Sequence, residues 1–576
     1  MKTNIKAIQI IVSLLKQHNI RNIVISPGTR HVPFVHCVEV DSFFTCYSVV
    51  DERSAAYFAL GLAEALDSPV AFACTSSTAA CNYMPAMQEA YERGIQLVAL
   101  TSDKARYRRY HGISQCIDQV NMYQPFAKMA VDTPIVENSD DYWYCNRCVN
   151  EALLELNHHG KGPVQINFLE PTNIRQLSTF EEGEMPITRK ITRVENNTDW
   201  NTWKEKLKQK KRILVLCGQH YSLQQDLNKA LAAFAKSYNV VITYDNFSNV
   251  RGEDFILSPL VGQTMNPNEC AAVMPDLIIT YGSKVYSDLM ERLYGKGVEQ
   301  WDINSEGRVF DSTKSLSTIF ECMPEQFFHS VSLTDGCNDG LYKSAWDKLL
   351  VKRHTDTHGF TNHYVAKTIL DNAPADILVH ASVLNSMKFT NYHSLQPQTS
   401  AFGNINADGI DGALSTFLGQ SSVSDRMALL IVGDLSFLYD LNALPYTLNN
   451  NIRILLINNQ AGGEFHYNIS KKRIETLDLH IAASHHTIIK QVEKISDVRY
   501  LSAHNEEELS GIVETFFADS DKPIILEAFT DANNDGEALR QFLASNRTNT
   551  NRKNITMFLR KVLGDKFMDN LKKKLK

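Results

Sequence analysis

No stretch of about 18 apolar residues occurs in the 576-residue chain, so the sequence offers no membrane-spanning helix. Its eleven cysteines lack the spacing of a disulfide framework, which favours a reducing, cytoplasmic setting. There is one CxxC, Cys145 to Cys148; without a second pair it reads as two residues on one face of an amphipathic helix, not as zinc or redox chemistry. A basic excess is missing too: the net charge of −7 gives no electrostatic footprint for nucleic acid. The opening segment MKTNIKAIQIIVSLLKQHNI has basic residues before a short apolar run, yet no small-residue cleavage site follows. Its apolar positions recur at helical spacing and predict an amphipathic first helix.

What is present is alternation. Apolar, β-branched runs such as NIVISPG, PVAFACTS, IQLVALTSD and PVQINFLEP are separated by helical patterns. The same holds for RILVLCGQ, VVITYDN and DLIITYGS, and again for DILVHAS, MALLIVGD, IRILLINN and PIILEAF. Continuous apolar strands between helices imply parallel sheets covered on both faces. The chain is too long for a single core, and three groups of strands predict three doubly wound α/β domains: 1–185, 186–345 and 346–544. A basic extension, 545–576, reads as a solvated, partly helical tail. The polar stretch Gln176–Lys211 reads as a linker and helical entry, and Ser332–Gly340 as the approach to the third domain.

The segment GDLSFLYDLNALPYTLNNNIRILLINNQAGG, Gly433–Gly463, contains Asp434 and two asparagine clusters. Asp434 ends one predicted strand, a helix over Phe437–Leu448 follows, and the next strand covers Ile452–Ile457. A helix of about 12 residues spans roughly 18 Å, so a right-handed crossover returns Asn449–Asn451 to the sheet edge opposite Asp434. Asn458 and Asn459 fall on Asp434's own edge, where open α/β sheets bind ligands. Asp434 with the amide oxygen of Asn459, 25 residues later, supplies hard oxygen ligands suited to Mg2+ or Mn2+, which takes remaining ligands from phosphate and water. Alone, Asp434 reads equally well as a helix N-terminal acid. Upstream, FGNINADGIDGALSTFLG sets Gly403, Gly409 and Gly412 before a helix predicted to start near Ile410, an arrangement that can receive phosphate oxygens.

In the first domain DERSAAYFALGLAEA puts Glu52 in a first helical turn, with Asp51 able to cap. SPGTRH is a tight turn after a strand, and the small residues of CTSSTAACNYMPAMQEA permit close approach of a helix start to a ligand or simply tight packing.

Taken in order, SPGTR, DERSAAYFALGLAEA, CTSSTAACNYMPA, TSDK, SQCIDQ, GIDGALST, GDLSFLYDLNAL and NNQAGG resemble one family over about 540 residues. It is the thiamine-diphosphate-dependent 2-succinyl-5-enolpyruvyl-6-hydroxy-3-cyclohexene-1-carboxylate synthase family of menaquinone biosynthesis. The resemblance implies a pyrimidine-binding domain, a central Rossmann-like domain and a diphosphate-binding domain. It also implies homodimers or homotetramers with active sites between subunits, and small-molecule partners, a 2-oxo acid and an acceptor. Glu52 matches the family glutamate that bonds the cofactor's aminopyrimidine and activates it for decarboxylation and carboligation, chemistry that the cofactor carries and the protein positions. Cofactor contacts carry over to Thr75, Ser76, Gly409, Ile410, Gly433, Asp434, Leu435, Ser436, Asn459 and Phe465. Metal ligation carries over to Asp434, Asn459 and the carbonyl of Ala461.

Substrate positions carry over to Thr29, Arg30, Lys104, Gln115, Met387 and Ile405, and here the chain departs from the family. Lys104 replaces an arginine and loses its planar fork. Ile405 in NINADGIDG stands for the arginine of an NRGxxGIDG pattern, and Met387 is aligned with the arginine of a GNSxxxR pattern. That family arginine pair holds the distal carboxylate of a 2-oxoglutarate-derived unit. Each charge-assisted bond contributes about 1.5–3 kcal/mol, so an altered donor, smaller or more apolar such as pyruvate, is expected. Lys388, His31, His111 and His466 are replacement anchors or ordinary structural residues. The alternatives are the family reaction itself with repositioned side chains, or a non-catalytic cofactor-binding scaffold.

Overall fold

The computed structural model describes residues 2–120, 122–169, 180–194, 199–220, 223, 225–444, 449–469 and 476–547. The basic tail from 548 onward lies outside them. Two compact units form: Met1–Val194 with Gly307–Ile319, and the remaining described residues.

The first unit is built on a six-stranded parallel sheet in the order Thr45–Ser48, Asn22–Ile25, Val70–Cys74, Leu97–Asp103, Val164–Leu169, Met129–Thr133. The predicted first helix is Lys6–Gln17, whose apolar side enters the sheet's core. Cys145 and Cys148 lie on the helix Ser139–Glu155, buried in that same core. Burial pushes both thiols above their ordinary range, as packing residues require.

The second unit holds two parallel sheets. One runs Ile256–Leu257, Val240–Tyr244, Ile213–Cys217, Leu277–Tyr281, Glu299–Ile303. The other runs Ser400–Phe402, Leu378–Ala381, Ala428–Gly433, Ile452–Asn458, Ile524–Phe529, Arg499–Ala503. Buried asparagines tie the two together: Asn246 Nδ2 donates to the carbonyls of Thr390 (2.6 Å) and His393 (2.9 Å), and Asn249 exchanges two bonds with Ala401. Parallel sheets flanked by helices are the α/β architecture the strand runs predict.

Thr45–Ser48, Met129–Thr133, Ser400–Phe402 and Arg499–Ala503 carry no continuous apolar run, and each closes a sheet edge. An edge strand is covered less completely, so it tolerates polar residues. The expected linker also differs. Phe180–Glu181 pairs antiparallel with Lys2–Thr3, and Thr188 accepts a bond from Gln17 while its N–H donates to Ser13. Arg189 pairs with Asp311 at 2.6 Å. Residues up to Val194 therefore belong to the first unit. The helix Leu341–Leu350 sends Tyr342, Trp346 and Leu349 into the Ile213–Cys217 sheet's core, across the expected 345/346 boundary.

Candidate functional site

Asp434 is the first residue of the helix Asp434–Tyr439, directly after the strand Ala428–Gly433. The expected helix over Phe437–Leu448 is corrected: it begins at Asp434, gives way to a 3-10 turn over Leu441–Ala443, and residues 445–448 lie outside the described set. The crossover argument holds regardless. Gly433 pairs with Ile457, so both strands end on one edge. Asn451 sits at the other end, its Nδ2 donating to the carbonyls of Ser424 (2.9 Å) and Arg426 (2.7 Å).

Asp434 is only 3% exposed. Its Oδ1 accepts from Leu435 N–H at 2.7 Å, while Oδ2 is buried without a hydrogen bond, with His485 Nε2 at 3.3 Å and the Gln460 and Ala461 N–H groups also lowering the carboxyl's pKa. Burial pushes its carboxyl up to about 6, opposed by the Leu435 N–H and the nearby imidazole. Asn459 Nδ2 donates to Asp535 Oδ2 at 3.0 Å, which fixes the amide, and its oxygen accepts a long bond from the Ala461 N–H at 3.4 Å. A buried carboxylate left short of partners at the sheet edge, beside a fixed amide oxygen, is a donor set that suits a divalent cation. The left-handed residue of this turn is Gln460 (φ 61°), so Ala461 carries its methyl group without strain.

Asp535 escaped sequence reasoning, because an acid in the first turn of Ala532–Ser545 reads as complementing the helix dipole. It is 2% exposed and accepts from Asn362 N–H (2.9 Å), Thr530 Oγ1 (2.8 Å) and Asn459. Groups that orient metal ligands govern affinity nearly as strongly as the ligands do. Asp535→Ala is expected to raise the Mg2+ concentration needed for half-maximal cofactor retention by about 10–100-fold, measured by equilibrium dialysis; an unchanged requirement removes the orienting role.

A cavity of about 240 Å3 opens at this edge. Gly433, Asp434, Leu435, Ser436, Asn459, Ala461, Phe465 and Ile410 line it, eight of the expected cofactor or metal positions. Ser436 Oγ donates to the Ile410 carbonyl at 2.5 Å, joining two of the motifs. The helix expected near Ile410 starts three residues later, over Ala413–Ser421, because Gly412 (φ 75°) makes the turn into it. Gly409 lies in the preceding loop and is not part of the cavity wall.

Met387 and Ile405 do not line the cavity. They meet in a sealed apolar cluster with Phe247, Ala381, Val383 and Ala401, at 0% and 1% exposure. Gly403 makes this possible, since a Cβ there would lie 2.6 Å from Met387 Cε. Spacing corrects one assignment: the residue four after Ser386 is Thr390, not Met387. Thr390 is fully buried and its hydroxyl donates to the Ser386 carbonyl at 2.8 Å.

In the first unit, Glu52 opens the helix Glu52–Leu66, whose cap is Asp51 accepting from Ser54 N–H at 2.9 Å. The Glu52 carboxylate is near enough to Cys74 to add to the upward push that burial gives that thiol. Arg30, Ser76, Gln115 and Lys104 converge at the carboxyl ends of three neighbouring strands. Arg30 Nε donates to Ser76 Oγ at 2.8 Å and its Nη2 to Gln115 Oε1 at 3.3 Å; Ser76 Oγ donates to the Gln115 carbonyl. Lys104 donates to the Ser114 carbonyl, and partial burial followed by the Arg30 charge lowers its ammonium pKa. Thr75 packs against Gly28, where a Cβ would meet it at 2.5 Å, and Thr29 is exposed on the turn. His31 is buried with Nε2 2.8 Å from the Ser26 carbonyl, His466 sits 2.8 Å from Asp478, and His111 is exposed.

A buried carboxylate, an amide and a cavity on one sheet edge can hold a diphosphate through a divalent metal. Residues 5–122 match the family model described as the N-terminal TPP binding domain of thiamine pyrophosphate enzymes. The protein is thus a thiamine-diphosphate-dependent decarboxylase and carboligase. The proteins of Bacteroides thetaiotaomicron and Bacteroides fragilis curated as 2-succinyl-5-enolpyruvyl-6-hydroxy-3-cyclohexene-1-carboxylate synthase are each 30% identical to it, over 94% of this chain and 99% of theirs. The Flavobacterium johnsoniae protein of the same name is 28% identical over 93% of this chain and 98% of its own. The chain belongs to the 2-succinyl-5-enolpyruvyl-6-hydroxy-3-cyclohexene-1-carboxylate synthase family.

Proposed function

We propose that this family member decarboxylates a 2-oxo acid lacking a distal carboxylate and joins the resulting acyl unit to an acceptor. The supporting observation is the cavity wall: among the described residues lining it none is basic, and two, Asp434 and Glu464, are acidic. Thr390 and Ile405 stand at the sequence positions where the resemblance puts the family's donor arginines, and both are buried. A distal carboxylate brought there would find no charge-assisted partner.

The chain's own residues divide the labour. Asp434, Asn459 and the Ala461 carbonyl would hold the metal, and Ser436, Leu435 and Ile410 would flank the diphosphate. Thiamine diphosphate, when bound, supplies the electron sink for decarboxylation. Glu52 would hold the proton balance of the aminopyrimidine. The Arg30, Lys104 and Gln115 group keeps positive charge and an amide for a carboxylate of donor or acceptor. We assign Tyr57 and Phe58, each 43% exposed on the Glu52 helix, to a subunit interface of a homodimer or homotetramer. No helix among the described residues is long and apolar enough to cross a membrane, and a cytoplasmic site of action is part of the same proposal.

The test is CO2 release from pyruvate, 2-oxobutanoate and 2-oxoglutarate with cofactor and Mg2+ present, with isochorismate in a parallel arm. Faster release from the monocarboxylates is expected. Product from 2-oxoglutarate with isochorismate at comparable efficiency overturns the altered-donor reading and restores the relatives' reaction.

A further inference from the structure

The cavity wall holds a carboxylate that the metal site leaves unused. Glu464 lies in the helix Gly463–Asn468, just past the Asn459 turn, and lines the cavity. Its Oε1 accepts from Lys388 Nζ at 2.5 Å and from Asn468 Nδ2 at 2.9 Å. Its Oε2 is buried and accepts nothing. Lys388 does not line this cavity. It borders a separate one of about 300 Å3, with Tyr286, Asp288 and Tyr392, and its Nζ stands 5.1 Å from the Tyr467 ring centroid. The lysine therefore neutralises Glu464 without offering its own charge to a ligand at the cofactor edge. Asn385, another lining residue, likewise has a buried Oδ1 with no donor. The wall thus presents acceptors that need donors, and a buried acceptor left unmatched opposes binding of anything that cannot supply one.

We propose that Glu464 determines donor specificity, its Oε2 receiving a hydrogen bond from the distal end of a 2-oxo acid that carries a neutral hydroxyl or carboxamide there. This rests on the altered-donor reading above and narrows it. A carboxylate in that place sets acceptor against acceptor, and an apolar end leaves Oε2 unpaired. Sites built to bond a substrate hydroxyl discriminate strongly against the analogue lacking it. Helix geometry keeps the carboxylate in place, since Asn468 is one turn on from Glu464 and holds the same oxygen as Lys388.

The experiment compares kcat/KM for CO2 release by the full chain, with thiamine diphosphate and Mg2+, on 4-hydroxy-2-oxobutanoate, 2-oxobutanoate, pyruvate and 2-oxoglutarate. The hydroxylated donor is expected to exceed 2-oxobutanoate at least tenfold and 2-oxoglutarate about a hundredfold. Glu464→Gln removes the charge and is expected to reduce discrimination against 2-oxoglutarate at least tenfold. Replacing the pair together, Glu464→Leu with Lys388→Leu, leaves no stranded charge and is expected to bring the hydroxylated donor to within about threefold of 2-oxobutanoate. These are ratios between donors, and a purely structural fault lowers every rate by a common factor and leaves the ratios unchanged. Equal rates on the first two donors, both above 2-oxoglutarate, overturn this inference and leave the altered-donor reading standing. Fastest release from 2-oxoglutarate, or none from any of the four, overturns both.

Discussion

Asp434→Ala is expected to yield a folded protein whose melting temperature no longer responds to thiamine diphosphate with Mg2+. In the native protein the Asp434 carboxylate is buried, with Oδ2 lacking a hydrogen bond. Such a group opposes folding by itself, as its raised pKa of about 6 shows, so its loss leaves the cofactor-free melting temperature nearly unchanged. What disappears is the ligand linkage. At a hundred times its Kd a ligand contributes about 2.7 kcal/mol, which in a large domain is a shift of roughly 5 °C or more. Loss of a direct ligand is expected to exceed the effect of Asp535→Ala, more than about 100-fold in metal-dependent cofactor affinity. Differential scanning fluorimetry with and without the two ligands reads this directly. A variant that still gains the wild-type shift would place the metal elsewhere.

The second large effect falls on turnover. Glu52→Gln keeps the shape of the side chain at the start of its helix but removes the carboxylate proposed to bond the aminopyrimidine. General acid–base contributions of this kind amount to about 10^2–10^4 in rate. A fall of that size in kcat is expected, with the cofactor-induced melting shift retained. The Ser54–Asp51 cap is untouched, so stability changes by less than about 1 kcal/mol. Normal turnover by this variant would remove Glu52 from the chemistry altogether. Together the two variants separate holding the cofactor from activating it.

Much of the cofactor edge was legible because its signals are local. A strand of unbroken apolar residues, a helix and a second such strand place Asp434 and Asn459 on one edge without knowledge of any neighbour. Gln460 taking the left-handed turn, and with it the tolerance of Ala461, needed the backbone itself. Asp535, which fixes the Asn459 amide, lies 76 residues away and carries no mark distinguishing it from any helix N-terminal acid. The edge strands were missed for a related reason: one covered side leaves too weak a pattern.

The sequence by itself determined the α/β class, the cofactor and the common sheet edge of Asp434 and Asn459, since these follow from strand periodicity, ordered motifs and crossover handedness. Only tertiary structure decided what faces the donor. Ile405 differs from the family in sequence, but it is packing with Met387 across Gly403 that turns it inward. Lys388 and Glu464, 76 residues apart, become a single neutral pair only when two helices close on each other. Periodicity records which face of its own element a residue occupies. Which residue of another element it will meet there is settled by long-range packing, and a pocket wall is made of such meetings.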